Sequence, residues 1–196
     1  MKRIISLIIM VSISLAVIAF NGRDNFGHRS ELLPDEVKLQ FAGNIGFLAA
    51  GIGYETFGGK LNSDLLIGYL PEYIGKAEVL TIAQKNTFNF RNFKYKPIRR
   101  LNVIAGFSIN VESGKNAFLR LPDYYPGGYY STNAITFGLF TGLKYNGKYS
   151  SNSKIKQIEY FAEVGTLATY VYYAIYNEDY FEEDIYSLAL GMNLKF

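Results

Sequence analysis

The stretch that decides the fold is LNVIAGFSINVE, residues 101–112. Its odd-numbered positions are all apolar, whereas its even-numbered positions are mainly small or polar, with Ile104 as the exception. Successive side chains of a β-strand point to opposite sides of the sheet, so this alternation predicts a strand with one apolar and one polar face. The stretch also has about the length of a tilted strand that crosses a membrane, ~9 to 11 residues.

The same alternation recurs along the chain. The segments that carry it, more loosely in the first three, are residues 48–57, 61–70, 79–90, 134–146, 157–170 and 186–196. In residues 37–41 the apolar positions are odd-numbered, whereas from Leu48 they are even-numbered. Because a slip of one residue exchanges the two faces of a strand, residues 43–46 must contain a turn or a bulge. A turn there gives eight strands.

Alternation alone leaves three architectures open: a β-sandwich, a lipocalin-like barrel and a membrane barrel. The spacing of the segments separates them, because the long connections, residues 113–133 and 171–183, alternate with the shorter 58–60, 91–100 and 147–154. Short turns at one end and long loops at the other are typical of outer-membrane barrels. The sequence therefore predicts an all-β fold, an antiparallel transmembrane up-and-down β-barrel of eight strands.

The polar phase of the predicted strands carries nearly balanced charge. Eight strands leave an interior that side chains can just fill, and an unpaired charge in such a place is costly. We therefore expect the charged side chains to pair and to close the interior, with a narrow small-solute channel as the alternative. The predicted interior residues are Lys38, Glu55, Asp64, Lys85, Glu112, Lys144, Glu159, Glu163 and Lys195.

The first residues have the pattern of a secretory signal peptide. Lys2 and Arg3 precede an apolar stretch that ends in small residues suited to cleavage after Ala19. The alternative is an uncleaved membrane anchor, since the apolar stretch has the length of a short spanning helix. The expected organisation is a signal peptide at residues 1–19, a flexible lead-in at 20–36 and a barrel domain at 37–196.

The composition excludes several classes of function. The chain has no Cys, so a disulfide scaffold, a cysteine zinc site and a thiol nucleophile are ruled out. Nineteen Gly and 32 Phe plus Tyr favour strands and turns over helices. Without the two basic residues of the leader, 18 basic residues face 17 acidic ones, which argues against a nucleic-acid-binding protein.

The ending GMNLKF, preceded by apolar residues at every second position, resembles the final strand of small bacterial outer-membrane β-barrel proteins of the OmpA/OmpX-like class. In that class this strand presents the chain to the barrel-insertion machinery. The resemblance implies a targeting role for Phe196 and a place in the bacterial outer membrane after secretion through the inner membrane. It also implies that outer-membrane lipid, lipopolysaccharide and the insertion machinery are partners, and the extracellular partner stays open.

Candidate functional residues outside the barrel wall are few. Two tyrosine pairs flank Pro126-Gly127-Gly128, and such a loop suits either a recognition surface or an aromatic girdle at the headgroup level. The loop tyrosines are Tyr124, Tyr125, Tyr129 and Tyr130. His28 and Ser30 resemble the residue types of lipid A deacylases, but they lie in the lead-in rather than on a strand, where rigid neighbours could hold them in reach of each other.

The expected function is therefore a structural or surface-interaction role, exerted through extracellular loops of a porin-like envelope protein whose interior is filled. The alternatives are a lipid A-modifying enzyme, acyl hydrolase or transferase, and a narrow channel. We predict no catalytic residue, no metal site and no cofactor.

Overall fold

In a computed structural model, the chain is described over residues 33–92, 100–114, 117, 134–147, 154–176 and 185–196. These residues form eight β-strands and two short α-helices. The strands are β1 (Glu36–Ala42), β2 (Leu48–Thr56), β3 (Leu61–Leu70), β4 (Val79–Asn92), β5 (Leu101–Gly114), β6 (Ile135–Asn146), β7 (Gln157–Leu167) and β8 (Ser187–Lys195). The helices are α1 (Glu72–Gly75) and α2 (Ala168–Tyr176).

The strands close into a barrel. Each strand pairs antiparallel with its neighbour in the chain, and β1 also pairs with β8, with Glu36 opposite Lys195 and Ala42 opposite Ala189. Closure gives each of the eight strands a hydrogen-bonded neighbour on both sides, so that none of them is an edge strand. The predicted all-β antiparallel barrel of eight strands is confirmed.

The face exchange near residue 43 is a turn between two strands. Gly43 has φ +87° and Gly46 has φ +144°, backbone conformations that side-chain-bearing residues rarely adopt. The turn lets the chain reverse, so that Phe41 on β1 pairs with Leu48 on β2. Residues 37–57 therefore contain two strands, and the inward positions change from even to odd numbers between them.

The predicted strand boundaries agree with the structure within two residues except at the end of β7. The predicted strand 157–170 ends at Leu167 and continues as α2, because β7 loses its ladder partners there: its last pairs are Leu167 with Gly138 and Gly165 with Ser187. Backbone N–H and C=O groups that have no partner on a neighbouring strand need other hydrogen bonds, and a helix forms these hydrogen bonds within its own segment. β1 begins at Glu36, one residue before the start of the predicted barrel domain.

The two ends of the barrel differ. We call the "turn end" the one where β1 begins and β8 ends; the connections 57–60, 93–100 and 147–156 join strands there. We call the other the "loop end"; strands are joined there by residues 43–47, 71–78, 115–134 and 168–186. The two predicted long connections therefore lie at the loop end and the three predicted shorter ones at the turn end, although the loop end also has the short connections 43–47 and 71–78.

The two faces of the wall differ as well. Inward positions carry most of the buried polar and charged side chains, whereas outward positions carry exposed apolar ones. Exposed apolar residues occur on every strand, for example Leu39, Ile52, Ile67, Ile82, Val111, Leu139, Val164 and Leu190. The apolar faces of the strands therefore form the outside of the barrel.

Candidate functional site in the barrel interior

All nine predicted interior residues lie at inward positions of the strands. Glu36, which the sequence analysis assigned to the lead-in, joins them as a fully buried carboxylate. Among the described residues, the interior thus holds four lysines and six carboxylates. How they pair decides whether the interior is a filled core or a passage.

The first group lies where β1 and β3 face each other across β2. Lys38 Nζ donates to Asp64 Oδ2 and lies 3.9 Å from Glu36 Oε1. The second oxygen of Glu36 accepts a hydrogen bond of 3.0 Å from Asn62 Nδ2. This group fits because Gly53 has no side chain: a Cβ there would lie 2.1 Å from Asp64 Oδ1.

The second group crosses the lumen from β4 to β7. Lys85 Nζ donates to Glu163 Oε2 at 2.5 Å and to Gln40 Oε1 at 2.7 Å. The same ammonium lies 4.5 Å from the centre of the Phe140 ring and 5.1 Å from that of Phe161. Aromatic faces attract a desolvated cation, so these two rings add to the ion pair in holding Lys85.

The third group lies near the turn end. Glu159 accepts hydrogen bonds from two lysines, Lys195 at 2.8 Å and Lys144 at 3.1 Å. Lys195 also pairs with Glu55. Glu159 and Glu163, both on β7, therefore serve different lysines, and they do not act as one pair of carboxylates.

Glu112, near the loop end, is the exception. It has no basic partner among the residues that the structure describes, and its Oε1 accepts a hydrogen bond of 3.3 Å from Thr136 Oγ1. It lines a cleft of about 270 Å³ whose wall is mainly apolar, with Ile45, Leu70, Ile74 and Thr81 among its neighbours.

Glycines on the wall make room for the aromatic rings inside. A Cβ at Gly191 would lie 2.3 Å from Phe161 Cζ, and one at Gly106 would lie 2.6 Å from Phe140 Cζ. Large side chains therefore project across the lumen over strand positions that carry none. The alternation puts Gly106 and Gly191 on the polar face of their strands. The inward rings were not predicted, although Phe140 and Phe161 occupy the inward phases of β6 and β7.

The turn between β1 and β2 folds into the loop end of the lumen. Ile45 is buried against Ala49, Leu66 and Ala83, so this part of the interior is apolar. On the other side, Asn44 Oδ1 accepts a hydrogen bond of 2.6 Å from Ser187 Oγ. The turn thus contacts β2, β3 and β4 through Ile45 and β8 through Asn44.

Little free space remains between these groups. The cavity beside Lys85, lined also by Gln40, Asn44, Ser108 and Glu163, has a volume of about 20 Å³. That is room for about one water molecule. Ion pairs and rings thus leave little open space at the level of Lys85, whereas the cleft beside Glu112 lies nearer the loop end.

Of the remaining residues singled out in the sequence, only Phe196 is among the described residues. Tyr124, Tyr125, Tyr129 and Tyr130, as well as His28 and Ser30, lie outside the described residues, as do the predicted signal peptide and most of the lead-in. Phe196 is described, and its backbone N–H donates to the carbonyl of Asp35 at 3.0 Å. Its targeting role stays a prediction.

Within the described residues, no group of three or more acidic or histidine side chains is placed to hold a metal ion. No helix in the same residues has both the length and the apolar character needed to cross a membrane. No protein-family model, curated protein or solved structure matches the chain.

Proposed function

We propose that this protein is an outer-membrane β-barrel with a closed interior, which acts as a rigid scaffold for the connections at its loop end. The observation that carries the proposal is the inverted distribution of polarity. Buried lysines and carboxylates fill the inside, while leucine, isoleucine, valine and aromatic side chains are exposed on the outside of every strand.

That distribution fits a bilayer better than water. A water-soluble barrel stabilises itself by removing apolar surface from water, and a large contiguous apolar exterior is uncommon on soluble monomers. In hydrocarbon each backbone amide must find a partner within the protein, which a closed sheet provides. Outer-membrane lipid and lipopolysaccharide are then the surroundings of the wall, and the barrel-insertion machinery is the partner during assembly.

The packing of the interior favours a scaffold over a conduit. A passage for solutes needs a continuous water-filled path, whereas the described lumen is crossed by the Lys85–Glu163 pair between two phenyl rings. Conductance of the purified protein in a planar bilayer tests this directly. We expect no steady conductance steps, and reproducible steps would establish the channel alternative instead.

The scaffold role also requires that the loop end face the outside of the cell. Because the chain has no Cys, a single introduced thiol reports on its own position. Tyr73, which is 84% exposed at the loop end, and Lys60, exposed at the turn end, form a matched pair for such thiols.

A membrane-impermeant maleimide applied to intact cells should label Tyr73→Cys and spare Lys60→Cys, and both should react after lysis. Labelling of Lys60→Cys alone in intact cells would reverse the orientation. Equal labelling of both would contradict a barrel that spans the membrane.

The proposed surface-interaction role rests on the loop tyrosines. Replacing Tyr124, Tyr125, Tyr129 and Tyr130 by Ser should leave insertion unchanged, because these residues lie between strands. Lipid A mass analysis of cells with and without the gene addresses the enzyme alternative: unchanged acylation is expected, and a changed acyl pattern would favour a lipid A-modifying activity.

A further inference from the structure

Three polar side chains interrupt the apolar outside of the barrel on β3 and β4. Gln84 and Asn86 have the same outward phase on β4 as the exposed Ile82 and Phe88, which lie on either side of them. Ser63 has the outward phase on β3 and pairs in register with Asn86. We call Ser63, Gln84 and Asn86 the outer polar patch; it lies midway along β4, away from both ends of the barrel.

The patch is hydrogen-bonded internally but keeps unused capacity. Gln84 Nε2 donates to Ser63 Oγ at 2.9 Å, and Ser63 Oγ donates to Asn86 Oδ1 at 2.9 Å. Asn86 is only 1% exposed, and its Nδ2 has no hydrogen-bond partner among the described residues. Gln84 is half-buried, and its amide has a second N–H and a carbonyl oxygen besides the N–H that it donates to Ser63.

Inside a bilayer, water does not reach such groups, and polar side chains there are best satisfied by another polar surface. An acyl chain offers neither donor nor acceptor at that depth. A side-chain amide has both a donor and an acceptor, so two glutamines related by a two-fold axis can each donate a hydrogen bond to the other. A two-fold interface uses the same surface on both subunits. A second copy of the chain brings the matching group without any further requirement.

We propose that two copies of this chain associate in the membrane through the outer polar patch, with the Gln84 amides paired across a two-fold axis. This inference rests on the proposed membrane location. Leu65, Ile82 and Phe88, exposed beside the patch, would surround the amide pair with apolar contacts. Asn86 is buried beneath them, out of reach of a second copy, and accepts the hydrogen bond that fixes Ser63 in the patch.

Single cysteines test the proposal in the otherwise cysteine-free chain. Leu65 pairs in register with Gln84 and is 53% exposed, whereas Leu190 on β8 is 46% exposed and lies four strands from β4 in either direction. In phosphatidylcholine vesicles under mild oxidation, Leu65→Cys should form disulfide-linked dimers, and the matched control Leu190→Cys should stay monomeric.

Gln84→Leu should raise the dissociation constant of the dimer without a cross-link about threefold to thirtyfold, the effect expected for polar contacts in membranes. In the Leu65→Cys background it should therefore lower the fraction of the protein captured as a disulfide-linked dimer. Heat-modifiable migration should be retained, which shows that the barrel still folds. Equal cross-linking at both positions, no cross-linking at Leu65→Cys, or dimers insensitive to Gln84→Leu would each overturn the proposal.

Flotation of the wild-type protein with the vesicles tests the membrane location separately from the dimer. A protein that does not float contradicts the membrane location itself, whereas a floating protein without dimers contradicts only this inference. In cell membranes, an adduct of Leu65→Cys with a chain of another size would identify a different partner and overturn association with a second copy.

Discussion

The inner and outer faces of the barrel are made from alternate residues of the same strands, yet they have opposite chemistry. On β7, Glu159 and Glu163 are buried and paired with lysines, while Tyr160 and Val164 between and beside them are exposed. A barrel made for water has the reverse arrangement. The difference teaches that the stability of this wall depends on what surrounds it, and substitutions on the two faces test that dependence.

The inner face should give the largest effect. Lys85→Met would leave Glu163 buried without its only cationic partner among the described residues. Breaking a buried ion pair typically costs ~3 to 5 kcal/mol. Urea titration of the protein refolded in lipid vesicles measures the loss. Adding Glu163→Gln should recover part of it, because the stranded charge is removed with its partner.

Lys144→Met is the matched control, since Glu159 keeps Lys195 at 2.8 Å when Lys144 is lost. It should therefore destabilise the barrel less than Lys85→Met. Equal losses for the two variants would show that the pairing described here does not set the stability of the interior.

The outer face should follow. Leu190→Arg places a charge on the apolar exterior and should cost about 2 to 4 kcal/mol if the position lies near the middle of the bilayer. The same titration in vesicles measures it, and Leu139→Arg on β6 should behave alike. If arginine at Leu190 proved as harmless as arginine at the exposed Tyr73, the assignment of the outer face to lipid would be wrong.

The glycines inside the wall should give a smaller effect. Gly191→Ala adds a methyl group that would lie 2.4 Å from the carbonyl oxygen of Leu39 and 2.3 Å from Phe161 Cζ. Overpacking of this kind typically costs ~1 to 3 kcal/mol. Gly165→Ala is the comparison, because its nearest neighbour lies at 3.1 Å, and a loss at Gly165 equal to that at Gly191 would contradict the close approach of Phe161.

The smallest effect is expected at the inward turn. Asn44→Ala removes the acceptor of the 2.6 Å hydrogen bond from Ser187, but Ser187 Oγ still has the carbonyl of Gly165 at 3.2 Å. A hydrogen bond whose donor keeps a second acceptor should cost about 0.5 to 1 kcal/mol. A loss as large as that of Lys85→Met would mean that the turn holds the barrel together.

Much of the fold could be predicted because alternation is a local signal. Where it is clean, as in residues 101–112, even the apparent exception is informative: Ile104 is buried in the interior. Where the alternation is less regular, each face of the strand carries both apolar and polar side chains. Leu66 and Ala83 lie inside, while Ser63, Gln84 and Asn86 lie outside, so β3 and β4 alternate less clearly.

The pairing of the interior could not be predicted, because it depends on the stagger between strands. The sequence shows which residues point inward but not where each of them lies along the barrel axis. From the sequence alone, Glu159 and Glu163 are therefore equally good partners for Lys144. The structure selects Glu159 at 3.1 Å and brings Glu163 to Lys85 instead. The inward fold of Asn44 and Ile45 likewise depends on contacts with strands distant in the chain.

The central claim is that the outer face contacts hydrocarbon and the inner face does not. The chain has no Trp, so the fluorescence of single-tryptophan variants can be compared directly. Leu190→Trp and Phe161→Trp, each refolded in vesicles and verified by heat-modifiable migration, report on the outside and the inside. Lipids brominated in their acyl chains should quench Leu190→Trp strongly and leave Phe161→Trp nearly unchanged; equal quenching, or stronger quenching at Phe161→Trp, would contradict the account.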